Sequence, residues 1–439
     1  MDKTLVFEGE KEEFNLELLE DFIKQHEEIK KRYLEMENLY QGHHAILTAG
    51  KKADYKPDNR LVVNYAKYIV DTFNGFFMGK PVKVVAEGKL QEYLADLVRL
   101  NNLDDNNYDL SKKCSIYGHA FELLYLDEKA QVGITQVDPK ECFIIYDQSI
   151  RRKPIFGVRY RRVDQGIEGT ISDDERIIYF KGDSQGKLKI TDELPHYFGH
   201  VPMVEYVENE EKLGAFEPVI TLINAYNKAI SEKANDVDYF ADAYMKILGA
   251  ILDEETLHQI RDNRIINLAS EDTDKLIVEF MEKPNADRTQ ENLLEKLEKQ
   301  IFAISMVANI NDENFGTSSG IALKYKLLSM MNLANTKERK FVKGFNERFK
   351  LISNLPNSPI TEEDLKNISY TFTRNIPENN KEEAEIARSL QGIVSDETLL
   401  DSLSLVKNVK MEMERIKDEE EFSPEVDYQF EEDHDQEVH

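Results

Sequence analysis

Two histidines that flank a Tyr-Phe-Gly segment have a spacing that occurs among metal ligands. His196 and His200 are four positions apart, and imidazole nitrogens are common zinc ligands. Pro195, Gly199 and Pro202 disfavour a regular helix around them, and the sequence offers no further Cys or His partner nearby. We therefore expect these histidines not to form a zinc site.

Acidic clusters are the next candidates for metal chemistry. Asp104-Asp105 and the run from Asp173 to Glu175 could hold Mg²⁺ in a nuclease, where carboxylates position the metal. Both clusters lie in turn-like contexts without a matching basic site, so we interpret them as solvated surface. The adjacent pair His43-His44 points its two rings apart, and we assign it to a loop surface.

Phosphate-binding and nucleophilic motifs are not evident in the sequence. Gly166 and Gly169 are not followed by the Lys-Ser or Lys-Thr pair of a P-loop, and no nucleophile with a recognisable base stands out. We expect a chain that is not an enzyme, with no catalytic residues, metal site or cofactor. Cys114 and Cys142 are the only cysteines, which predicts reduced thiols and assembly in the cytoplasm.

One local concentration of positive charge stands out in the N-terminal half. It comprises Arg151, Arg152, Lys153, Arg159, Arg161 and Arg162. Arg159 and Arg161 are two positions apart and share one face of a predicted strand. One interpretation is a sheet surface paired with acidic neighbours. The other is a contact with an acidic neighbouring subunit or with DNA.

Length and composition indicate a large, acidic globular protein. The 439 residues are enough for two or three domains. The formal net charge of −28 argues against a protein that grips DNA, since nonspecific DNA affinity comes largely from Lys and Arg. No apolar run is long enough to span a membrane, and residues 1–20 lack the basic and apolar regions of a signal peptide.

The pattern of the N-terminal half predicts helices followed by a β-rich region. Helical periodicity covers residues 14–36, 61–77, 90–100 and 104–117. Short alternating runs bounded by turn residues then predict strands at 82–85, 120–126, 133–137, 142–146, 155–162, 177–181 and 187–190. This order predicts an α+β domain with an antiparallel sheet.

The C-terminal half reads as mostly helical. Amphipathic helices are predicted at 216–248, with Asn227 on the polar face and Gly249 as a stop, and at 293–307. Between them we expect a short helix at 253–262 and strands at 264–268 and 275–280. A helix at 321–352 has poor helix formers at Asn332, Asn335 and Thr336, which predict a bend. Helix is predicted again at 382–416, and the acidic residues 418–439 should be disordered.

Several strings together resemble the portal proteins of tailed bacteriophages, more closely the group from phages of Gram-positive hosts. The resemblance covers residues 16–417 and depends on the order and spacing of the strings. They are Val201-Pro-Met-Val-Glu-Tyr206, Asn209-Glu-Glu-Lys-Leu-Gly214, Asn224-Ala-Tyr-Asn227, Ala241-Asp-Ala-Tyr244, Phe315-Gly-Thr-Ser-Ser-Gly-Ile-Ala-Leu-Lys324, Phe372-Thr-Arg-Asn-Ile-Pro377 and Gly392-Ile-Val-Ser-Asp-Glu-Thr398.

The resemblance implies a mostly helical α+β subunit in a ring around a central channel. Its parts would be a wing at 1–215, stem helices at 216–248 and 287–308, a clip at 249–286, a tunnel loop at 309–320, a long bent helix at 321–354 and a crown at 355–417. The ring, of about twelve copies, would stand at one capsid vertex of a virion assembled in the host bacterial cytoplasm.

The same resemblance implies where the ring meets its partners. Double-stranded DNA would pass the tunnel loop without sequence recognition, facing Asn309, Asn311, Asp312, Glu313, Asn314, Thr317 and Ser318. The terminase large subunit and the head-completion or connector proteins would dock on the clip, with candidate contacts at Arg261, Arg264, Glu271, Asp274 and Lys275. Capsid and scaffold proteins are further implied partners, and no membrane is expected. The loop has no Lys or Arg, so its DNA contacts would be polar or repulsive.

Two other functions remain open from the sequence alone. A metal-dependent DNA-processing enzyme would use the acidic clusters. A helical adaptor protein without a channel would use the amphipathic helices to bind a partner. Divalent-metal activity would distinguish the first alternative, and the mass in solution would distinguish the second.

Overall fold

The computed structural model describes residues 4–422 except for 54–55, 165, 184–185, 242–244, 249–276, 281–286, 311–319, 377–379, 404 and 407–408. The chain divides into two compact units, Met1–Asn311 with Lys326–Asn375 and Asp312–Tyr325 with Ile376–His439. None of the described helices is long and apolar enough to cross a membrane.

Ten α-helices are described, and we number them in chain order. They are α1 Leu16–Gln41, α2 Tyr65–Met78, α3 Lys89–Leu100, α4 Leu103–Tyr117, α5 Ile220–Ala241, α6 Asp287–Ser305, α7 Gly320–Ser353, α8 Asn380–Leu390, α9 Asp396–Asp401 and α10 Val409–Phe422. Asn15 caps α1 by accepting from Leu18 N at 3.1 Å, and Gly42 ends it in the left-handed conformation, as is usual for a helix stop.

Thirteen described strands form four sheets. The strands are β1 Leu5–Phe7, β2 Lys83–Val85, β3 His119–Leu126, β4 Val132–Val137, β5 Cys142–Asp147, β6 Pro154–Val163, β7 Gly166–Ser172, β8 Arg176–Gly182, β9 Leu188–Pro195, β10 Met203–Val207, β11 Met245–Leu248, β12 Ile277–Phe280 and β13 Ser369–Thr371. The largest sheet has the order β1-β5-β6-β7-β8-β9, and the others are β10-β3-β4, β11-β12 and β13-β2.

One hydrophobic core lies between α1 and one face of the six-stranded sheet. Leu19, Phe22 and Ile23 of α1 belong to the same buried cluster as Val158 and Tyr160 of β6. Side chains alternate along β6, so Arg159 and Arg161 lie on the opposite, exposed face of the strand. Part of that opposite face is covered in turn by the three-stranded sheet, through a second cluster that includes Phe121, Ile144 and Met203.

Two buried ion pairs hold the long helix α7 against this α+β body. The Arg348 guanidinium bonds the Glu122 carboxylate of β3, and Lys337 Nζ lies 2.7 Å from Glu208 Oε2. Between the two pairs, the Phe341 ring packs 5.2 Å from the Tyr206 ring. Burial raises the pKa of Glu208, although the Lys337 ammonium opposes that shift.

Most predicted elements of the N-terminal half are confirmed, with bounds that differ by a few residues. Strands β1, β7 and β10 were not predicted. The sequence of β7 contains two glycines and alternates poorly, which hides a strand that lies inside the sheet. Position 169 of β7 requires glycine, since a Cβ at this position would lie 2.3 Å from the Arg159 carbonyl oxygen.

In the C-terminal half, the predicted helix at 216–248 is wrong at its end. Helix α5 is described as far as Ala241, and Met245–Leu248 is a strand paired with Ile277–Phe280, because a short apolar run fits either period. The predicted strand at 275–280 is thereby confirmed as β12. The helix predicted at 253–262, the strand at 264–268 and the stop at Gly249 lie outside the described residues.

Helix α7 confirms the helix predicted at 321–352. The bend predicted near Asn332 and Thr336 stays a prediction, although Thr336 Oγ1 donates to the Asn332 carbonyl at 3.1 Å, a bond that often accompanies bends.

The continuous helix predicted at 382–416 is wrong, because helix α8 ends at Leu390 and α9 begins at Asp396. The crown assignment at 355–417 stays a prediction. Residues 355–375 belong to the first compact unit, where β13 pairs with β2 and Phe372 stacks on Phe77 at 5.4 Å. Helix α10 runs to Phe422, into the segment predicted to be disordered, and glutamates are good helix formers. Residues 423–439 lie outside the described part of the chain.

Three polar residues assigned to the surface are buried. His44 is buried and its Nε2 lies 3.4 Å from Asn64 Oδ1, whereas His43 is exposed. Asp173 is buried because its Oδ1 accepts from the backbone N–H groups of Glu175 and Arg176 at 2.9 and 2.8 Å. Asn227, assigned to the polar face of its helix, is also buried and is described with the site below.

Candidate functional site

Helices α5 and α6 form an antiparallel hairpin, the most extensive helix pair in the described structure. Lys233 pairs with Glu291, and Gln290 Nε2 donates to Asp236 Oδ2 at 2.7 Å. Nearer the body, the Tyr65 ring of α2 meets Tyr226 at 5.1 Å and Phe302 at 5.6 Å, edge to face in both cases. The hairpin is therefore fixed to α2 at one end by aromatic packing.

The other end of the hairpin carries the strand pair β11-β12. Met245 pairs with Phe280 and Leu248 pairs with Ile277 in antiparallel register. These strands follow α5 and precede α6 in the chain, so the two arms remain paired beyond their helices. We call the unit made of α5, β11, β12 and α6 the stem hairpin.

A segment at residues 59–63 binds the buried side of α5 through a ladder of backbone-to-side-chain hydrogen bonds. The backbone N–H groups of Asn59, Leu61 and Val63 donate to side-chain oxygens at 2.6, 2.9 and 2.8 Å. Their acceptors are Asn235, Ser231 and Asn227, respectively. We call this ladder the clasp.

The spacing of the clasp follows from the geometry of the two backbones. Every second residue of the segment meets every fourth residue of the helix. An extended chain rises about 3.3 Å per residue and a helix about 1.5 Å, so two steps along one match four steps along the other within about an ångström. The three acceptor side chains are buried, and the clasp satisfies backbone groups that would otherwise lie unpaired.

Charged contacts lie beside the clasp. Lys52 Nζ donates to both oxygens of Glu232 at 2.9 and 2.8 Å, and this contact lowers the pKa of the Glu232 carboxyl. Asn59 Nδ2 also donates to Asp238 Oδ2 at 2.5 Å. The stem hairpin is thus held to the α+β body by aromatic, polar and ionic contacts from Tyr226 to Asp238, which is about three turns of α5.

A groove of about 390 Å³ lies along the stem hairpin. Its apolar floor comes from both helices and from the clasp segment, and its rim is charged. The floor comprises Leu61, Tyr226, Ile230, Ala234, Val237 and Leu294, and the rim comprises Lys233, Glu291, Glu295 and Glu298. Val237 is 62% exposed and Leu61 is 41% exposed, so the floor remains open to solvent in the single chain.

The chain leaves α6 toward the predicted tunnel loop. Asn309 Nδ2 donates to Glu298 Oε1 at 3.1 Å, and Ile310 N donates to the Tyr68 hydroxyl at 2.9 Å. The first residue of the predicted loop is therefore tied back to α6. The other predicted loop residues, Asn311, Asp312, Glu313, Asn314, Thr317 and Ser318, lie outside the described residues.

The predicted docking residues of the clip also lie outside the described residues. They are Arg261, Arg264, Glu271, Asp274 and Lys275, between β11 and β12 in the chain.

The remaining sequence motifs have structural partners. His196 is buried, with Nε2 at 3.0 Å from the Asp173 carbonyl and Nδ1 accepting from Phe198 N at 3.3 Å. Arg161 pairs with Glu168 and Arg162 with Glu27, which favours the paired-surface interpretation for this part of the basic cluster. Within the described ranges, no group of three or more His, Cys, Asp or Glu side chains is arranged to hold a metal ion.

One buried constellation resembles a nucleophile, base and acid, and no sequence pattern indicates it because its residues are far apart in the chain. Tyr33 hydroxyl lies 2.5 Å from His119 Nε2, and His119 Nδ1 lies 2.5 Å from Glu205 Oε1. Lys212 and Tyr146 also donate to the Glu205 carboxylate, at 2.6 Å each.

This constellation is arranged for structure rather than catalysis. The adjoining cavity of about 10 Å³ holds no more than one water molecule, so a substrate has no room. Burial raises the pKa of the Tyr33 hydroxyl, which makes it a poor nucleophile. The network satisfies polar groups that link α1, β3, β5 and β10 inside the core.

Comparison with known proteins identifies the family of this chain. Residues 19–423 match the family model described as phage portal protein, SPP1 Gp6-like. The portal protein of Clostridium phage phiCD119 is 24% identical over 408 residues, which cover 84% of this chain and 88% of that protein. The portal protein of Bacillus phage SPP1 is 24% identical over 405 residues, covering 83% and 77%, respectively. The chain therefore belongs to the SPP1 Gp6-like family of phage portal proteins.

Proposed function

We propose that about twelve copies of this chain close into a ring at one vertex of a phage capsid, and that double-stranded DNA enters and leaves through its channel. Membership of the portal family supports a structural rather than an enzymatic role. Portal proteins belong to the virion capsid, and we propose that this ring assembles in the host cytoplasm before it joins the capsid and scaffold proteins.

The observation that carries this proposal is the stem hairpin. A pair of antiparallel helices, clasped at the body and continued by paired strands, provides a stiff segment suited to lining a channel. We assign α5 and α6 to the stem and residues 249–286 to the clip. The clip would then bind the terminase large subunit during packaging and the head-completion proteins afterwards.

The proposed mechanism is mechanical and steric. In each copy, Asn309 stands at the end of the stem hairpin, and residues 309–320 would face passing DNA. Asp312 and Glu313 would present negative charge to the phosphates in every subunit. At about 0.15 M ionic strength the screening length is about 8 Å, so such charges act at close range and discourage DNA from adhering to the channel.

Measuring the mass and the activity of one purified preparation tests this proposal. Light scattering in EDTA and reducing agent should give a closed oligomer, because the interface needs neither metal nor disulfide. A monomer over a wide range of concentration and salt would favour the helical adaptor. Cleavage of DNA that requires a divalent metal and is lost in a carboxylate variant such as Asp104→Asn would favour the DNA-processing enzyme.

A further inference from the structure

The loop between β5 and β6 presents an isoleucine entirely to solvent among three cations. Ile150 is 105% exposed, and Arg151, Arg152 and Lys153 beside it are exposed as well. A single exposed apolar side chain is ordinary on a protein surface. Its position on a rigid loop, next to cations that the function above does not use, makes it informative.

Hydrogen bonds to one aspartate fix the shape of this loop. Asp147 Oδ1 accepts from Ser149 N at 3.2 Å, from Ser149 Oγ at 2.6 Å and from Lys153 N at 2.8 Å. Arg152 N donates to the Ser149 carbonyl at 2.9 Å and Asp147 N donates to the Lys153 carbonyl at 2.9 Å. A loop already held in one conformation loses little entropy when it binds.

The groove along the stem hairpin is apolar and acidic, which complements the apolar and basic β5-β6 loop. Its floor is apolar and open to solvent at Val237 and Leu61. Three glutamates stand on its rim, and Lys233 is occupied by Glu291, so the rim has surplus negative charge. The groove volume of about 390 Å³ accommodates an isoleucine side chain together with the stems of neighbouring cations.

We propose that the β5-β6 loop of one copy docks in the stem-hairpin groove of the next copy. Ile150 packs on Val237 and Leu61, while Arg151 and Lys153 face Glu295 and Glu298. The two surfaces are different parts of one chain, so the contact is head-to-tail, the kind that closes into a ring. This inference rests on the proposed ring and names a contact that holds it.

A second copy fits the loop better than DNA does. Phosphates would satisfy the cations, but a duplex backbone offers no apolar surface for Ile150. The groove, in turn, carries negative charge and would repel nucleic acid. Only a partner that is both apolar and acidic satisfies the whole loop, and the chain supplies such a surface itself.

Disulfide trapping tests the contact in the full chain. The variant with Ile150→Cys and Val237→Cys should form disulfide-linked multimers up to the whole ring under mild oxidation, and neither single variant should. Cys114 and Cys142 do not compete, because both are buried and burial raises the pKa of both thiols. Rings of the double variant that show no more linkage than the single variants would overturn the proposal.

Charge reversal gives an independent readout. Arg151→Glu with Lys153→Glu should raise the concentration needed for half-assembly by about ten-fold, and adding Glu295→Arg should restore part of the loss. Lys189→Glu, an exposed cation on β9 of the same sheet, is the control and should assemble normally. All variants should show the thermal transition of the unmodified protein.

The remaining outcomes separate this inference from the proposed function. A charge-reversed variant that forms normal rings but packages less DNA per capsid would overturn the subunit contact in favour of a DNA contact, and leave the ring intact as a proposal. An unmodified protein that never assembles would refute the ring itself and this contact with it.

Discussion

The Arg348 guanidinium and the Glu122 carboxylate form a bidentate ion pair in the core, although 226 positions separate them in the chain. Each side chain is 2% exposed. Arg348 also donates to Asn107 Oδ1 at 2.7 Å, so one residue of α7 engages both β3 and α4. Because a buried charge needs its partner, this pair fixes the axial position of α7 on the body.

Removing one member of the Arg348–Glu122 pair should destabilise the folded protein. We expect Arg348→Met to lower the free energy of unfolding by about 3–5 kcal/mol, since Glu122 would remain buried without its counter-charge. Denaturant unfolding measures this change. Arg161→Ala, which breaks the exposed pair with Glu168, is the control and should cost less than about 1 kcal/mol. Equal losses in the two variants would mean that the buried pair does not fix α7.

The clasp predicts a local effect on hydrogen exchange. Asn227→Ala leaves the Val63 N–H without its acceptor, and Ser231→Ala does the same for Leu61. Each should cost about 1–3 kcal/mol and speed exchange at the corresponding amide. The control is Lys228→Ala, at an exposed position of the same helix. Unchanged exchange at both amides in the alanine variants would contradict the clasp.

Acid should weaken the core through buried His26. Burial lowers the pKa of His26 to about 4, while Nε2 lies 2.9 Å from the Pro139 carbonyl and Nδ1 2.8 Å from the Tyr160 hydroxyl. The unfolded chain binds a proton near pH 6.5 that the folded chain binds only near pH 4. The contribution of neutral His26 to the free energy of unfolding is therefore fully present above pH 6.5. It is lost as the pH falls toward 4, and the loss is on the order of 3 kcal/mol.

Comparing pH profiles isolates this contribution. Burial also lowers the pKa values of His44, His119 and His196, so the slope of the unmodified protein has several sources. Urea unfolding from pH 7 to pH 4 gives the free energy of unfolding of the unmodified protein and of His26→Gln. The pH-dependent difference between the two is the contribution of His26. Parallel profiles for the two proteins would show that His26 is not the titrating group.

Charge in the proposed tunnel loop should control passage of DNA. Replacing Asp312 and Glu313 with Lys places a basic collar around the duplex in every subunit. We expect salt-dependent DNA retention and less packaged DNA per capsid, with ring assembly unchanged. Asp312→Asn with Glu313→Gln is the matched neutral control. Normal packaging by well-formed double-Lys rings would remove these residues from the channel wall.

The sequence predicts strands and exposed faces, which depend on local pattern. It does not predict which polar side chains are buried by partners far away in the chain. Alternation around Val158 and Tyr160 is enough to predict β6 and the exposure of Arg159 and Arg161. Asn227 looked like a surface residue because its acceptor role depends on Val63, which is 164 positions away. Asp173 is a different case, because the backbone groups that it accepts from belong to Glu175 and Arg176, two and three positions away.

The helices of the candidate site were predictable, because they too depend on local pattern. Helical periodicity identifies both arms of the stem hairpin, since each arm has its own apolar stripe. The groove and the fixed β5-β6 loop were not predictable, because each depends on how separate segments pack. The ring is a prediction that comes from the resemblance to portal proteins, since no pattern within a single chain specifies it.

A cryo-electron microscopy reconstruction of the purified full-length protein tests the central claim most directly. We predict a closed ring of about twelve copies, with α5 and α6 of every copy surrounding a central channel wide enough for duplex DNA. A ring in which the stem hairpins lie on the outer rim, or a preparation that contains only monomers, would contradict it.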